Sequence, residues 1–307
     1  MADKAASIIA RLKNKASESG RSYQLCLQLF CQEEFLRRLS KSDYLEHIIL
    51  KGGLLIYALT EFDSRVTADV DFLLKHMDNS PEHLKLVLTD IINVDTGNNY
   101  VEFEILRVIP ISIAKKYTGI GATIVAKIKN TRTTFGIDFS VGDVIVPKQE
   151  LRSIPTQLDD FEAPVINSYS IETIIAEKID AILYLMEFSS RMKDYYDIYF
   201  LASRFDFEGA VLSKALLKTF DNRNHVFSTE HFEQIMSLGS DDMMTRKWNT
   251  FIRKTNTISE DFQAVLESIR SFLWEPFTSI LNKEEFDKNW IAIRSSWELR
   301  AKSEADH

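Results

Sequence analysis

Apolar residues recur at three- and four-residue steps through the first 40 positions. Ile8, Ile9 and Leu12 mark an amphipathic helix over 4–18 that Ser19-Gly20 ends. Tyr23, Leu27, Phe30, Phe35 and Leu39 mark a longer one over 21–39, broken at Ser40 to Ser42. Both read as structural helices packed on a sheet. Ser80 as cap and Pro81 in the first turn open a helix through about Ile92. Alternation then takes over: 100–113 reads as a strand, and 122–129 with 133–140 as an antiparallel pair turned at Asn130-Thr131. Pro147, Pro155 and Pro164 make 142–169 an irregular bridge, with a short strand at Val144 to Val146. From Ser170 the period is helical, over 171–188, 191–204, 208–219, 229–236, 243–253 and 259–274, the last capped by Ser259. The pattern gives an α/β (α+β) chain: an α/β domain over about 1–165, then an α-helical C-terminal domain over 166–307.

The chain is organised around residues 50–74. Leu50-Lys51-Gly52-Gly53 reads as a glycine turn opening a short helix, Leu54 to Leu59. Such a turn admits a ligand close to the backbone, and a helix start offers N–H groups to an anion. The strand that follows alternates, so Val70 and Phe72 enter the core while Asp69 and Asp71 share the other face. Their backbone positions lie roughly 6–7 Å apart, from the strand rise. Two carboxylates so placed can converge on one divalent cation, and magnesium takes carboxylate and phosphate oxygens. Asp138, between Ile137 and Phe139, has the same pattern in a later strand. It either joins such a site or is an exposed strand aspartate.

Lys178 stands out in the helix over 171–188. Ile171, Ile175, Ile182 and Leu185 form one stripe, and Lys178 occupies its middle. A lysine there must snorkel, pair with an acid, or serve a ligand. Glu177 is about 100° away round the helix and is a poor partner. Next comes Arg191-Met192-Lys193-Asp194-Tyr195-Tyr196-Asp197-Ile198-Tyr199. Ser190 can cap this helix, Asp194 suits its dipole, and Lys193 with Asp197 could form a surface pair. The three tyrosines offer stacking surface for a base.

With 45% hydrophobic residues in 307, a normal core can be buried. The net charge of −8 argues against a coat for non-specific nucleic-acid binding. A local basic groove remains open, with Lys115, Lys116, Lys127, Lys129 and Arg132 as candidates. Cys26 and Cys31 are five apart on a helix and do not face each other, so a reducing compartment with no disulfide and no zinc is expected. No signal peptide or membrane span is read, and a cytoplasmic protein is expected.

Leu-Lys-Gly-Gly followed by Arg-x-Thr-x-Asp-x-Asp-Phe resembles the AbiEii/AbiGii toxin family of the polymerase-beta-like nucleotidyltransferases. Ala-Glu-Lys-x-x-Ala with Arg-x-Lys-Asp-x-x-Asp is similar to the second half of that signature. The resemblance covers roughly residues 20–275. It implies a nucleotidyltransferase domain with a mixed sheet, followed by a helical domain. The implied metal carboxylates are Asp69 and Asp71, holding Mg2+. Lys178 matches the nucleotide-binding lysine and Asp194 the distal aspartate, with Asp197 as its understudy. Asp138 would be the third carboxylate, and Asp138 or Asp194 would orient or deprotonate the acceptor. Lys51, Gly52, Gly53, Arg65, Thr67 and Asp197 would contact the nucleotide. Many such enzymes have Gly-Ser where this chain has Gly52-Gly53, which removes a hydroxyl but keeps the backbone donors. The implied substrate is a nucleoside triphosphate, GTP or CTP, and the implied acceptor is RNA or tRNA. The implied context is a phage-defence (abortive infection) module with a separately encoded antitoxin. The alternatives are a protein-modifying toxin that transfers the nucleotide to side chains, and a catalytically inactive nucleotide-binding regulator.

Overall fold

A computed structural model describes residues 3–300, apart from Val66, Ala68, 112–118, 189–190, 256–257 and the side chain of Glu187. Packing divides the chain into two units. One is Met1–Asp143 with Gln149–Tyr169; the other is Val144–Lys148 with Ser170–His307.

In the first unit, α1 (Lys4–Ser19) and α2 (Tyr23–Ser40) precede β1 (Ile48–Lys51), α3 (Gly52–Leu59), β2 (Val70–Leu74) and α4 (Pro81–Ile92). Then come β3 (Glu102–Ile111), β4 (Gly119–Ile128), β5 (Thr131–Ser140), β6 (Glu150–Ser153) and β7 (Val165–Ser168). The helix starts use caps written locally in the sequence. The side chains of Asp3, Ser22 and Ser80 accept from the N–H groups of Ala6, Leu25 and His83, and Pro81 fills a first-turn position.

The seven strands form one mixed sheet in the order β3-β4-β5-β2-β1-β7-β6. β2 and β5 run parallel, as do β1 and β7, and the other neighbours are antiparallel. Strand β5 shows the two faces most plainly. Thr133, Phe135, Ile137 and Phe139 are buried, while Thr134 and Asp138 are exposed. Helix α2 covers the apolar face: the Phe35 ring lies 6.3–6.4 Å from those of Phe72, Phe103 and Phe135. Removing such a side chain typically costs about 3–5 kcal/mol. The same helix buries Glu34, which accepts from Arg37, Arg38, Thr96 and Asn98. That network ties the turn after α4 to the core. Edge strand β3 is mostly exposed and carries Glu102, Glu104, Arg107 and Pro110, residues that discourage a further strand from adding.

Three sequence expectations need correction here. Residues 142–169 are not an irregular bridge, since β6 and β7 complete the sheet. Val144 to Val146 form no strand; the Val146 N–H donates to Thr173 Oγ1 (2.8 Å). The hairpin between β4 and β5 turns at Lys129-Asn130, with Ile128 paired to Thr131 and Lys129 at a φ of 54°.

The second unit contains α5 (Ile171–Leu185), α6 (Met192–Arg204), β8 (Phe207–Glu208), α7 (Gly209–Arg223), α8 (Thr229–Ser237), α9 (Asp242–Thr255), α10 (Phe262–Asn282), β9 (Lys288–Ile291) and β10 (Ser296–Leu299). Its helices follow the predicted periodicity. Phe262, Val265, Leu266, Ile269 and Leu273 of α10 are buried as that stripe requires. The cap of α10 is Asp261, accepting from Ala264, and not Ser259. The three-stranded sheet β10-β9-β8 has no counterpart in the sequence reading. Its anchors are aromatic: Trp290 donates to the Ala202 carbonyl (2.7 Å), and Trp297 stacks on Phe272. Among the described residues, no helix is long and apolar enough to cross a membrane.

Candidate active site

The turn from β1 into α3 is the centre of the first unit's polar face. Gly52 has a φ of +70°, a left-handed conformation that favours glycine. A Cβ on Gly52 would lie 2.7 Å from Asp71 Cγ, so the absent side chain is also what lets the carboxylate approach. A Cβ on Gly53 would lie 3.0 Å from that of Thr67. Thr67 in turn donates to the Asp69 carbonyl (3.3 Å), which holds the segment before β2 against the glycine turn. The N-terminus of α3 carries no side-chain cap.

Register then assembles the charged groups. Lys51 on β1 pairs with Asp71 on β2, and Asp71 pairs with Asp138 on β5. Register partners on adjacent strands project to one face, about 5 Å apart. Asp69 precedes β2 by one residue and shares that face through the two-residue alternation. Val70, Phe72, Ile137 and Phe139 fill the opposite face and are buried, as the sequence predicts. Two strand glycines flank the carboxylates. A Cβ on Gly136 would fall 2.7 Å from Asp69 Oδ1, and one on Gly121 would meet Ile111 and come 3.4 Å from Asp138 Oδ1. Sequence reasoning passed over both glycines, although a glycine inside a strand signals a close approach.

Lys51 is engaged within the unit. Its Nζ lies 2.9 Å from Asp143 Oδ2, 3.3 Å from Ser140 Oγ and 3.2 Å from the Tyr169 hydroxyl, and both ionised groups are nearly buried. Nothing local in the sequence points to Asp143 or Tyr169, which are 92 and 118 positions away. Arg65 is also buried. Among the described residues, no three His, Cys, Asp or Glu side chains form a ready-made metal cage. The donors that share the face are carboxylate oxygens beside glycine-cleared space, a set suited to a hard cation that also takes substrate oxygens.

A second charged cluster lies within the helical unit. Lys178 Nζ on α5 sits 2.9 Å from Asp194 Oδ1 and 2.6 Å from Asp197 Oδ2 on α6. Both carboxylates are fully buried, and the lysine side chain is 11% exposed. Of the three fates open to a lysine in an apolar stripe, pairing with acid is the one observed. Asp197 is therefore a buried ion-pair partner and not half of a surface pair. Burial pushes the Asp194 carboxyl up, but Lys178 and Arg191, whose Nε is 2.5 Å from Oδ2, outweigh it and hold it near 2. Glu177 pairs instead with Arg223 (3.2 Å), which also reaches buried Asp180 (2.7 Å).

The tyrosines do not offer a base-stacking surface. Tyr195 and Tyr196 are fully buried, packed against Phe262 and against Phe200 and Phe251, and Tyr199 is half-buried. Helix period explains this, because 195 and 196 fall on the inward arc of α6. The cap expected at Ser190 lies outside the described residues, as do Lys115 and Lys116 of the proposed basic groove. In that groove Lys127 pairs with Glu104 and Lys129 with Asp3. Cys26 and Cys31 are free and buried.

Comparison with known proteins bears on the fold and the family. Two solved structures from Helicobacter pylori share the fold, each at 15% identity and a TM-score of 0.50. One, named as a candidate nucleotidyltransferase, covers 86% of this chain and 100% of its own. The other, JHP933, covers 85% and 98%. No curated protein matches. Residues 34–268 match the model of the nucleotidyl transferase AbiEii toxin family, type IV toxin–antitoxin systems, a span that contains Lys51, Asp69, Asp71, Asp138, Lys178, Asp194 and Asp197. The chain belongs to the AbiEii nucleotidyltransferase toxin family.

Proposed function

We propose that this toxin transfers a nucleotide from a nucleoside triphosphate to an RNA acceptor, in a magnesium-dependent reaction restrained by a separately encoded antitoxin. The observation that carries the reading is the row Lys51–Asp71–Asp138 on one sheet face, beside a glycine turn that opens a helix. In this reading the acceptor oxygen attacks the α-phosphorus and pyrophosphate leaves. Asp69 and Asp71 would hold the cation, which supplies charge stabilisation at the phosphates and the leaving group. Asp138 lies one strand away, and in this reading it accepts the acceptor's proton or orients its hydroxyl. The backbone N–H groups at the start of α3 suit a phosphate, and Gly52 and Gly53 leave room for it.

Lys178, Asp194 and Asp197 enter through the family resemblance, which assigns Lys178 to the nucleotide and makes Asp194, with Asp197 as its understudy, the distal aspartate that would orient or deprotonate the acceptor. Asp194 stays ionised at any working pH. With Asp197 it fixes the lysine's rotamer, so the ammonium is a positioned charge and not a mobile one. In this reading it serves the triphosphate, GTP or CTP.

The test is incubation of the full chain with each labelled nucleoside triphosphate, magnesium and total cellular RNA, beside Asp71→Asn. Label entering RNA with wild type and not with the variant supports the reading. Label entering protein instead, or none with any nucleotide, overturns it.

A further inference from the structure

The chain is acidic overall, but residues 243–259 carry Arg246, Lys247, Arg253 and Lys254 and no acid. These four fall on or beside one face of α9. The helix is oriented by its other face, where Met244 and Trp248 are fully buried and the Trp248 indole donates to the Glu260 carbonyl (3.0 Å). Arg246 and Arg253 are two turns apart, about 10 Å along the axis and within about 20° of each other around it. Both are exposed, and neither forms an ion pair among the described residues. Arg253 Nε donates only to the Asn249 carbonyl (3.2 Å). Between them Asn249 presents an amide with no side-chain partner among the described residues. Arg246, Asn249, Thr250, Ile252 and Arg253 lie together on one open side of α9.

We infer that this face of α9 is a binding surface for the phosphate backbone of RNA. The inference rests on the RNA-acceptor reading and names the residues that would hold the acceptor. Guanidinium groups bind phosphate oxygens bidentately, and a neutral amide between two of them suits sugar or phosphate oxygens. A cationic helix that docks on a lipid surface would instead show bulky apolar residues beside its charges. Among the described residues of α9 one bulky apolar side chain is exposed, Met243, one turn before Arg246; the other neighbours of the arginines are Asn249, Thr250 and the half-buried Ile252. Two phosphate contacts also fit a protein of net negative charge, because the attraction is local and screened within about 10 Å at ordinary salt.

The experiment uses the full chain and a fluorescein-labelled 20-nucleotide single-stranded RNA, with anisotropy followed across a salt series and no nucleoside triphosphate present. Arg246→Glu with Arg253→Glu should weaken binding at least tenfold. It should also flatten the plot of log affinity against log salt by about 1.4, the slope carried by two phosphate contacts on a single strand. Lys214→Glu with Lys218→Glu on α7, the same change in net charge, should leave affinity within about twofold, and melting curves would establish that both variants fold. Equal losses in the two double variants would make the effect one of net charge and overturn the inference. So would an unchanged slope, absence of RNA binding by wild type, or a preference for anionic vesicles or polyglutamate over RNA. The functional reading fails separately: a chain that binds RNA through α9 yet incorporates no label keeps the surface and loses the reaction.

Discussion

Asp71 and Asp138 are register partners on adjacent parallel strands, 67 positions apart in sequence. Strand alternation brings Asp69 to the same face, and Lys51 is the register partner of Asp71 on its other side. Asp71→Asn and Asp138→Asn each keep the side-chain volume and remove a charge from this row. Both should abolish nucleotide incorporation while the melting temperature stays within a few degrees of wild type. Incorporation of labelled nucleotide together with thermal melting checks this. Wild-type incorporation by a folded Asp71→Asn chain would remove the row from the reaction.

The two glycines beside the carboxylates should fail differently. At Gly52 a side chain meets both a positive φ and the Asp71 carboxylate, so Gly52→Ala should cost about 1–3 kcal/mol of stability as well as activity. At Gly136 the group met is the Asp69 carboxylate, the far end of an exposed side chain that can rotate away. Gly136→Ala should hold its denaturation midpoint and lose activity by displacing that carboxylate. Equal stability losses in urea unfolding would contradict the contrast.

Lys178→Met leaves two buried carboxylates facing each other with their shared cation gone. Breaking a buried ion pair from one side typically costs about 3–5 kcal/mol, so this variant should be markedly less stable. Replacing all three, Lys178→Met with Asp194→Asn and Asp197→Asn, removes the uncompensated charge and should recover most of that loss. Urea midpoints of the two variants test the ordering. A Lys178→Met chain as stable as wild type would mean that the cluster contributes nothing to the fold.

Glu33 on α2 supplies a pH signature. It is fully enclosed, and burial pushes its carboxyl up to about 8, against the opposing pull of the Gln157 N–H that both its oxygens face. A raised folded-state value means that the native protein prefers the protonated form. Its contribution is therefore complete below the unfolded value of about 4.3 and is lost as pH rises towards 8. Asp194 behaves oppositely, its contribution being present above about 3.9 and lost as pH falls towards 2. Glu33→Gln should accordingly raise the melting temperature more at pH 8 than at pH 5. A pH-independent difference would contradict this assignment.

Much of the fold was legible locally. The cap at Ser80, the stripe of α10 and the alternation of β5 are properties of neighbouring residues, and residue type and hydrophobic period report them directly. The shared face of Asp69 and Asp71 follows from the same alternation and needs no tertiary information. The short strands β6, β7 and β8 were not legible, because two to four residues do not establish a period. They become strands only when a partner supplies hydrogen bonds.

The composition of the charged clusters was decided by the tertiary structure. Sequence singled out Lys178 as misplaced in an apolar stripe, yet its partners lie 16 and 19 residues away on another helix, beyond the reach of any i to i+4 rule. It singled out Asp138 by alternation, but only strand order set that residue beside Asp71 rather than at a distant edge. Lys51, Asp143 and Tyr169 meet for the same reason: the sheet brings three remote segments together. Local pattern determines which way a side chain faces. What it faces depends on pairings whose closure is compensated only by the whole core, and no window of sequence contains that information.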